Sequence, residues 1–216
     1  AGLPKLVNKV LGKTWAPNQI MPRWIIEGLA VYEETMRSST GRNRSNQFDM
    51  FVRAAVLRHQ QLDLDAVTSG PYAFPRGNAA YLYGGKFLQY VFDRYGDDKV
   101  RRMSWTSAQH ALPFAVNRQI HDVVGESFDG LWKDWNSWLR DKYTTQLEAV
   151  ERAGVREGRR LTFDAESHIS PQYSADGKLL YWLANDGSTQ ARIRAIPVGG
   201  NVGDARETGV EAPRFG

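Results

Sequence analysis

The reading of this chain turns on MPRWIIEGLAVYEE, residues 21 to 34. Pro22 stands where a helix start tolerates proline, because the first turn needs no N–H there, and the helical pattern runs on to about Met36. On that helix Glu27 shares a face with Val31 and Glu34, while Trp24, Gly28, Val31 and Thr35 form the neighbouring apolar face. Gly28, directly after the glutamate, leaves room for a second helix to approach closely. A carboxylate in so apolar a stretch is costly unless a cation pairs with it or a metal binds it; otherwise it is a surface residue.

Working outward, SSTGRNRSN (residues 38–46) is a loop of turn formers, and a second helix is expected from about Gln47 to Gln60. The polar, proline-containing VTSGPYAFPRG leads to a third helix at about Asn78 to Tyr95, closed by Gly96. Two more are expected at about Leu112 to Val124 and Phe128 to Ala153, with a shorter piece around Lys99 to Ser107. In the last long helix Leu131, Trp132, Trp135, Trp138 and Leu139 recur every three to four residues, the spacing of a core-facing stripe.

The composition changes near residue 155. LTFDA, ISPQYS, KLLYWLA and ARIRAIPV read as four short strands, with Asp176-Gly177 and Asn185-Asp186-Gly187 as hairpin turns. The tail ARETGVEAPRFG echoes SHISPQYS, as the opening of a second repeat would. The expected fold is therefore mainly α over residues 1–155, followed by a small antiparallel β segment over 156–216.

Bulk properties narrow the function. The chain has 28 basic and 24 acidic residues, net +4, with Arg42, Arg44, Arg101, Arg102, Arg159 and Arg160 dispersed rather than gathered into a basic stripe, which argues against a nucleic-acid partner. No run of about eighteen apolar residues occurs, so no membrane-spanning segment is expected, and AGLPKLVNKV lacks the apolar core of a signal peptide. The absence of cysteine excludes disulfides, thiolate metal sites and thiol catalysis.

Trp24-x-x-Glu27-Gly28-x-Ala30-x-Tyr32 resembles the third-ligand helix of the gluzincins, the zinc peptidases of the peptidase MA clan that include the membrane-alanyl-aminopeptidase group. The resemblance implies that Glu27 is a zinc ligand. In that family an earlier helix carries HExxH, whose two histidines bind Zn2+ and whose glutamate is general base, the zinc polarising the scissile carbonyl and lowering the pKa of its water. Asn78-Ala79-Ala80-Tyr81-Leu82-Tyr83-Gly84-Gly85-Lys86-Phe87 is similar to the aminopeptidase Y-x-x-G segment, which makes Tyr81, with Tyr83 as second candidate, the donor to the oxyanion of a peptide or protein substrate.

The departure is equally plain. None of His59, His110, His121 and His168 belongs to an HExxH, and residues 1 to 26 hold no histidine. The resemblance then places the HExxH helix before Ala1 and an insertion around GKTWAPNQ. This chain alone is expected to bind no zinc and to hydrolyse nothing. The other reading is a peptidase-like scaffold without activity, in which the β segment is an interaction module.

Ile169-Ser170-Pro171-Gln172-Tyr173-Ser174-Ala175-Asp176-Gly177-Lys178 resembles the S-P-D-G-K repeat of TolB-like propellers, where the serine and aspartate hold the turn. It implies one blade here, further blades beyond Gly216, and a periplasmic or secreted location typical of such fusions. VGGNVG is a strand connection rather than a phosphate loop, because no helix with lysine and serine follows it.

Overall fold

The computed structural model describes residues 8–10, 12, 21–72, 74–99, 101–102, 116–156, 158, 161–162, 167–186, 188, 190–199 and 206–211. The chain divides into two compact units, Ala1–Gly154 and Val155–Gly216. The first is helical and the second is a small antiparallel sheet, so the architecture is mainly α followed by a short β segment.

Among the described residues of the first unit, the α-helices with defined bounds are α1 (Arg23–Arg37), α2 (Asn46–Leu57), α3 (Leu64–Ser69), α4 (Ala79–Tyr95), α5 (Val116–Val124) and α6 (Phe128–Ala153). Their ends follow from local chemistry. Ser45, Asp63 and Ser127 cap α2, α3 and α6 by accepting from the N–H groups of Phe48, Ala66 and Gly130. Gly96 and Gly154 close α4 and α6 with φ of 87°, a left-handed backbone that a side chain would strain. Helix α3 lies where no helix was expected. It is only six residues long, held by its Asp63 cap and the buried Val67, too short for apolar periodicity to reveal. Residues 97–99 and 101–102 are helical, while 103–107 of the expected short helix, 112–115 of the next, His110 and the GKTWAPNQ stretch beyond Gly12 lie outside the described residues.

The core is largely aromatic. Trp24 is 2% exposed and meets Phe128 edge-on at 5.0 Å and Phe87 at 5.6 Å. Phe87 in turn lies 4.8 Å from Trp132 and 5.4 Å from Trp135. Tyr32 stacks on Phe92 at 3.9 Å and donates its hydroxyl proton to Asp97 at 2.6 Å. Such pairs each add roughly 0.5–1.5 kcal/mol beyond the burial of their area. The stripe on α6 is buried as expected at Leu131, Trp132, Trp135 and Leu139, but not at Trp138, which is 44% exposed. Tyr143 takes the next buried place, because α6 turns Trp138 to the edge of its contact with α4, beside Tyr90.

Helices α1 and α4 make the closest helix contact. A Cβ on Gly28 would stand 2.6 Å from the Gly84 carbonyl carbon, and one on Gly84 would collide with the Trp24 carbonyl oxygen. Gly85 is similarly tight, since its Cβ would meet Val31 at 2.7 Å. Three glycines thus set the distance between the two backbones.

In the second unit β1 (Ser167–Tyr173), β2 (Leu179–Asn185), β3 (Arg192–Pro197) and β4 (Arg206–Glu211) form an antiparallel meander in chain order. The β1–β2 turn is built by side chains: Ser174 donates to Asp176 at 2.6 Å, Asp176 accepts from the Lys178 N–H at 3.1 Å, and Ser174 accepts from the Leu179 N–H at 2.9 Å. Gly177 supplies the positive φ of 69°. Trp182, Ala184 and Ile196 form a small core with Leu161 and Leu180.

Two strand expectations are corrected. Leu161 and Thr162 lie in no strand, and 163–165 are outside the described residues. Arg206–Glu211, expected to open a second repeat, is instead the fourth strand of this sheet, with Arg192 opposite Glu211 and Arg194 opposite Glu207. The backbone of β3 needs a pairing partner on its free side, and that demand outweighs the weak alternation of RETGVE.

Helix propensity alone would make Gly28→Ala and Gly84→Ala stabilising by about 1 kcal/mol each. The close backbone contact reverses the sign. Each substitution is expected to lower stability in urea by about 2 kcal/mol or more, and a gain at either position would sink the account of this crossing.

Candidate functional site

The α1–α4 crossing decides what the two helices present. Trp24, Ile25, Gly28, Val31, Tyr32 and Thr35 are turned inward, leaving Glu27 and Glu34 along the flank of α1. The Glu27 side chain is 25% exposed, and its carboxylate accepts from Arg23 Nε at 3.3 Å. Across the crossing, Tyr81 lies near the N-terminus of α4, partly buried. Two guanidiniums lie over its ring, Arg23 at 5.7 Å and Arg42 at 5.2 Å from the centroid. Arg23 is held more firmly charged than a free arginine, first by its hydrogen bond to Tyr81 and then by Glu27. Arg42 ends on Glu34 at 2.6 Å.

The structure therefore brings Glu27 and Tyr81 to one surface, joined through Arg23. It does not bring Tyr83 there. Tyr83 is 3% exposed, packed against Trp132 and Trp135 at 6.3 and 6.4 Å. Burial pushes its phenol pKa up, partly offset by the backbone of Leu62. Two positions along α4 carry a side chain about 200° round the helix, which is why Tyr81 and Tyr83 face opposite ways.

None of the described histidines is recorded in contact with Glu27 or Tyr81. His59, at the end of α2 with φ of 53°, and His121 are exposed, while His168 lies in the second unit beside Trp182 at 6.1 Å. Among the described residues no group of three or more His, Cys, Asp or Glu side chains could hold a metal ion. A catalytic zinc takes three protein ligands and keeps one open position. Glu27 is a single carboxylate already paired with a guanidinium, so the described residues do not by themselves fit a zinc ion.

A second cluster escaped the sequence reading. Asp49 on α2 accepts from the Tyr143 hydroxyl at 3.0 Å and lies 3.5 Å from Lys86, 3.7 Å from Arg53 and 3.8 Å from Lys142. Lys86 also donates to the Asn43 carbonyl at 2.9 Å, and Asn43 donates from its amide to the Gly85 carbonyl at 2.9 Å. These residues come from α2, α4, α6 and the loop after α1, and no spacing in the sequence links them. Burial raises the carboxyl pKa of Asp49, but the hydrogen bond from Tyr143 and the charges of Lys86 and Lys142 outweigh it, leaving the net value below the usual range.

Compared with family models, with curated proteins and with solved structures, the chain matches none. No helix among the described residues is long and apolar enough to cross a membrane.

The depressed pKa of Asp49 fixes the sign of a pH effect. Its stabilising contribution is complete above the ordinary aspartate range, about pH 4, and is lost as pH falls through the lower folded-state value. Asp49→Asn should cost about 1–2 kcal/mol in urea at pH 7 and much less at about pH 2. An equal deficit at both pH values would show that Asp49 acts through packing rather than charge.

Proposed function

We propose that the α1–α4 surface carrying Glu27 and Tyr81 is one wall of a peptide-hydrolysing site of the zinc-peptidase type, acting on a peptide or protein substrate. In this reading Glu27 is a carboxylate ligand, and the other ligands of the Zn2+ come from polypeptide outside these 216 residues. The observation that supports it most is the meeting of Glu27 and Tyr81, far apart in sequence, on the single guanidinium of Arg23.

The chemistry available to Tyr81 follows from its neighbours. Arg23 stands over its ring, 5.7 Å from the centroid, and the phenol O–H is a hydrogen-bond donor. Arg23 and Arg42 place positive charge on the ring's surroundings. A donor in such a place strengthens its bond as negative charge grows on a substrate oxygen, which is how an oxyanion donor favours the transition state over the ground state. Glu27 on the same surface would remain fixed while this happens, because the glycine contact below it prevents the two helices from sliding.

The second unit, in the same proposal, is a blade of a TolB-like propeller, supported by the Ser174–Asp176–Gly177 turn and the four-stranded meander. The scaffold reading is favoured by one feature. The Arg23–Glu27 pair leaves the carboxylate neutralised without any metal, as a structural residue would be.

The polypeptide that contains this chain in full separates the two. Glu27→Ala should lower its zinc affinity by at least about a hundredfold. Tyr81→Phe should keep the zinc and lower kcat by about 10²–10³ with KM little changed. Zinc content and peptide hydrolysis that survive both substitutions would exclude the peptidase reading, and a full polypeptide with neither property would establish the scaffold.

A further inference from the structure

On the other side of the same helix pair lies an open groove of about 660 Å³, bounded by α1, α2, α4 and α6. Its size is that of a small-ligand site, roughly 300–1,000 Å³. Met36, which lines it, stands about 180° round α1 from Glu27, so the groove is independent of the proposed hydrolytic surface.

One wall is aromatic. Tyr90 and Trp138 pack at 5.4 Å, and Trp138 keeps nearly half its surface exposed although it belongs to the apolar stripe of α6. The neighbouring wall and floor are cationic. The Lys142 ammonium lies 5.1 Å from the centroids of both Trp138 and Tyr143. The Lys86 side chain is 16% exposed, and burial lowers its pKa against the opposing pull of Asp49.

The charge balance is uneven. Asp49 faces three cations, Lys86, Lys142 and Arg53, while also accepting from Tyr143. Its contacts with the two lysines, at 3.5 and 3.8 Å, are long beside the roughly 2.7–2.9 Å of a direct charge-assisted bond. Asp93, the other acid in the groove, is exposed and accepts from the neutral amide of Gln89 at 2.7 Å, Arg94 pairs with Asp134 at 3.2 Å, and Arg44 donates to the Thr35 and Ser38 carbonyls. The floor therefore holds one carboxylate, Asp49, shared by the two ammoniums of Lys86 and Lys142. At the floor a cation would meet Asp49 already shared among three cations, whereas an anion would find two donors.

We propose that this groove binds an aromatic carboxylate, its ring against Tyr90 and Trp138 and its carboxylate between Lys142 and Lys86. A free aromatic acid and the C-terminal aromatic residue of a peptide present the same chemistry. A small hydrated anion such as phosphate would use the lysines and leave the aromatic wall bare.

The test is calorimetric titration of the 216-residue chain with N-acetylphenylalanine. A Kd on the order of 1 mM is expected for a ligand of this size, with N-acetylphenylalaninamide and acetate each bound about tenfold more weakly. Lys142→Gln, at a position 43% exposed, should lower the melting temperature only slightly through its lost contact with Asp49, and is expected to weaken the acid about tenfold and leave the amide unaffected. Trp138→Ala should weaken acid and amide together. A tripeptide ending in phenylalanine that binds more tightly than the acetylated amino acid identifies a peptide terminus as the source; weaker binding identifies a free acid. The proposal is overturned by equal binding of acid and amide, by no saturable binding, by an acid affinity indifferent to Lys142→Gln, or by phosphate competing as well as the aromatic acid.

Discussion

Helices α1 and α4 can lie as close as they do only because Gly28 and Gly84 face each other without side chains. The backbone of one helix rests on the backbone of the other, with the Trp24 carbonyl against Gly84 and the Gly84 carbonyl carbon against Gly28. At that separation no intervening side chain can adjust, so the two helices have little room to shift against each other. Everything carried on their flanks inherits this precision. On one side Arg23 pairs with Glu27 and lies over the ring of Tyr81. On the other, Gly85 lies against Val31 and presents its carbonyl to Asn43, whose own carbonyl in turn holds Lys86.

The aromatic core complements this contact. Where the helices separate from the glycine crossing, the gap widens and is filled by the largest side chains available: Trp24, Phe87, Phe128, Trp132 and Trp135. Truncating any one of them would leave a cavity costing about 3–5 kcal/mol. The filling has its own cost, because the indole N–H groups of Trp132 and Trp135 find no hydrogen-bond acceptor among the described residues. Each such group costs about 1–3 kcal/mol, less than the packing gained by a ring of that size. Shape, rather than polar satisfaction, governs this core.

The same physics explains what could be read from the amino-acid sequence. The long helices were legible because Trp24 to Thr35 and Leu131 to Leu139 repeat apolar residues at helical spacing, and the Ser174–Lys178 turn was legible because its geometry is local. Gly28 announced a close approach, although only the structure identifies Gly84 as its partner. The Y-x-x-G spacing put Tyr81 ahead of Tyr83, but that Tyr83 is buried against Trp132 and Trp135 depends on which side of α4 meets α6. Trp138 misled for the reverse reason: its spacing is that of the core, but it lies at the edge of the α4–α6 contact, beside Tyr90 and 44% exposed. Arg206–Glu211 carries almost no strand pattern and is placed by the pairing demand of β3. The Asp49 cluster is drawn from four separate segments, and nothing local marks it.

One helix crossing thus presents two surfaces of opposite electrostatic character. On the Glu27 side charges are matched one for one, Arg23 with Glu27 and Arg42 with Glu34, and the phenol of Tyr81 sits between the two pairs. Such pairs near solvent contribute at most about 1 kcal/mol each, so their main effect is to fix where the side chains stand. On the Asp49 side one carboxylate serves three cations, of which Lys86 is only 16% exposed, and a charge so placed is more costly to leave unmatched because less water screens it. A matched surface can hold a reacting group in place without attracting ions of either sign. An unmatched one is a standing demand for an anion, and an exposed tryptophan beside it adds a preference for an anion that carries a ring. Because both surfaces hang on the same pair of glycine contacts, a shift in that crossing would disturb them together.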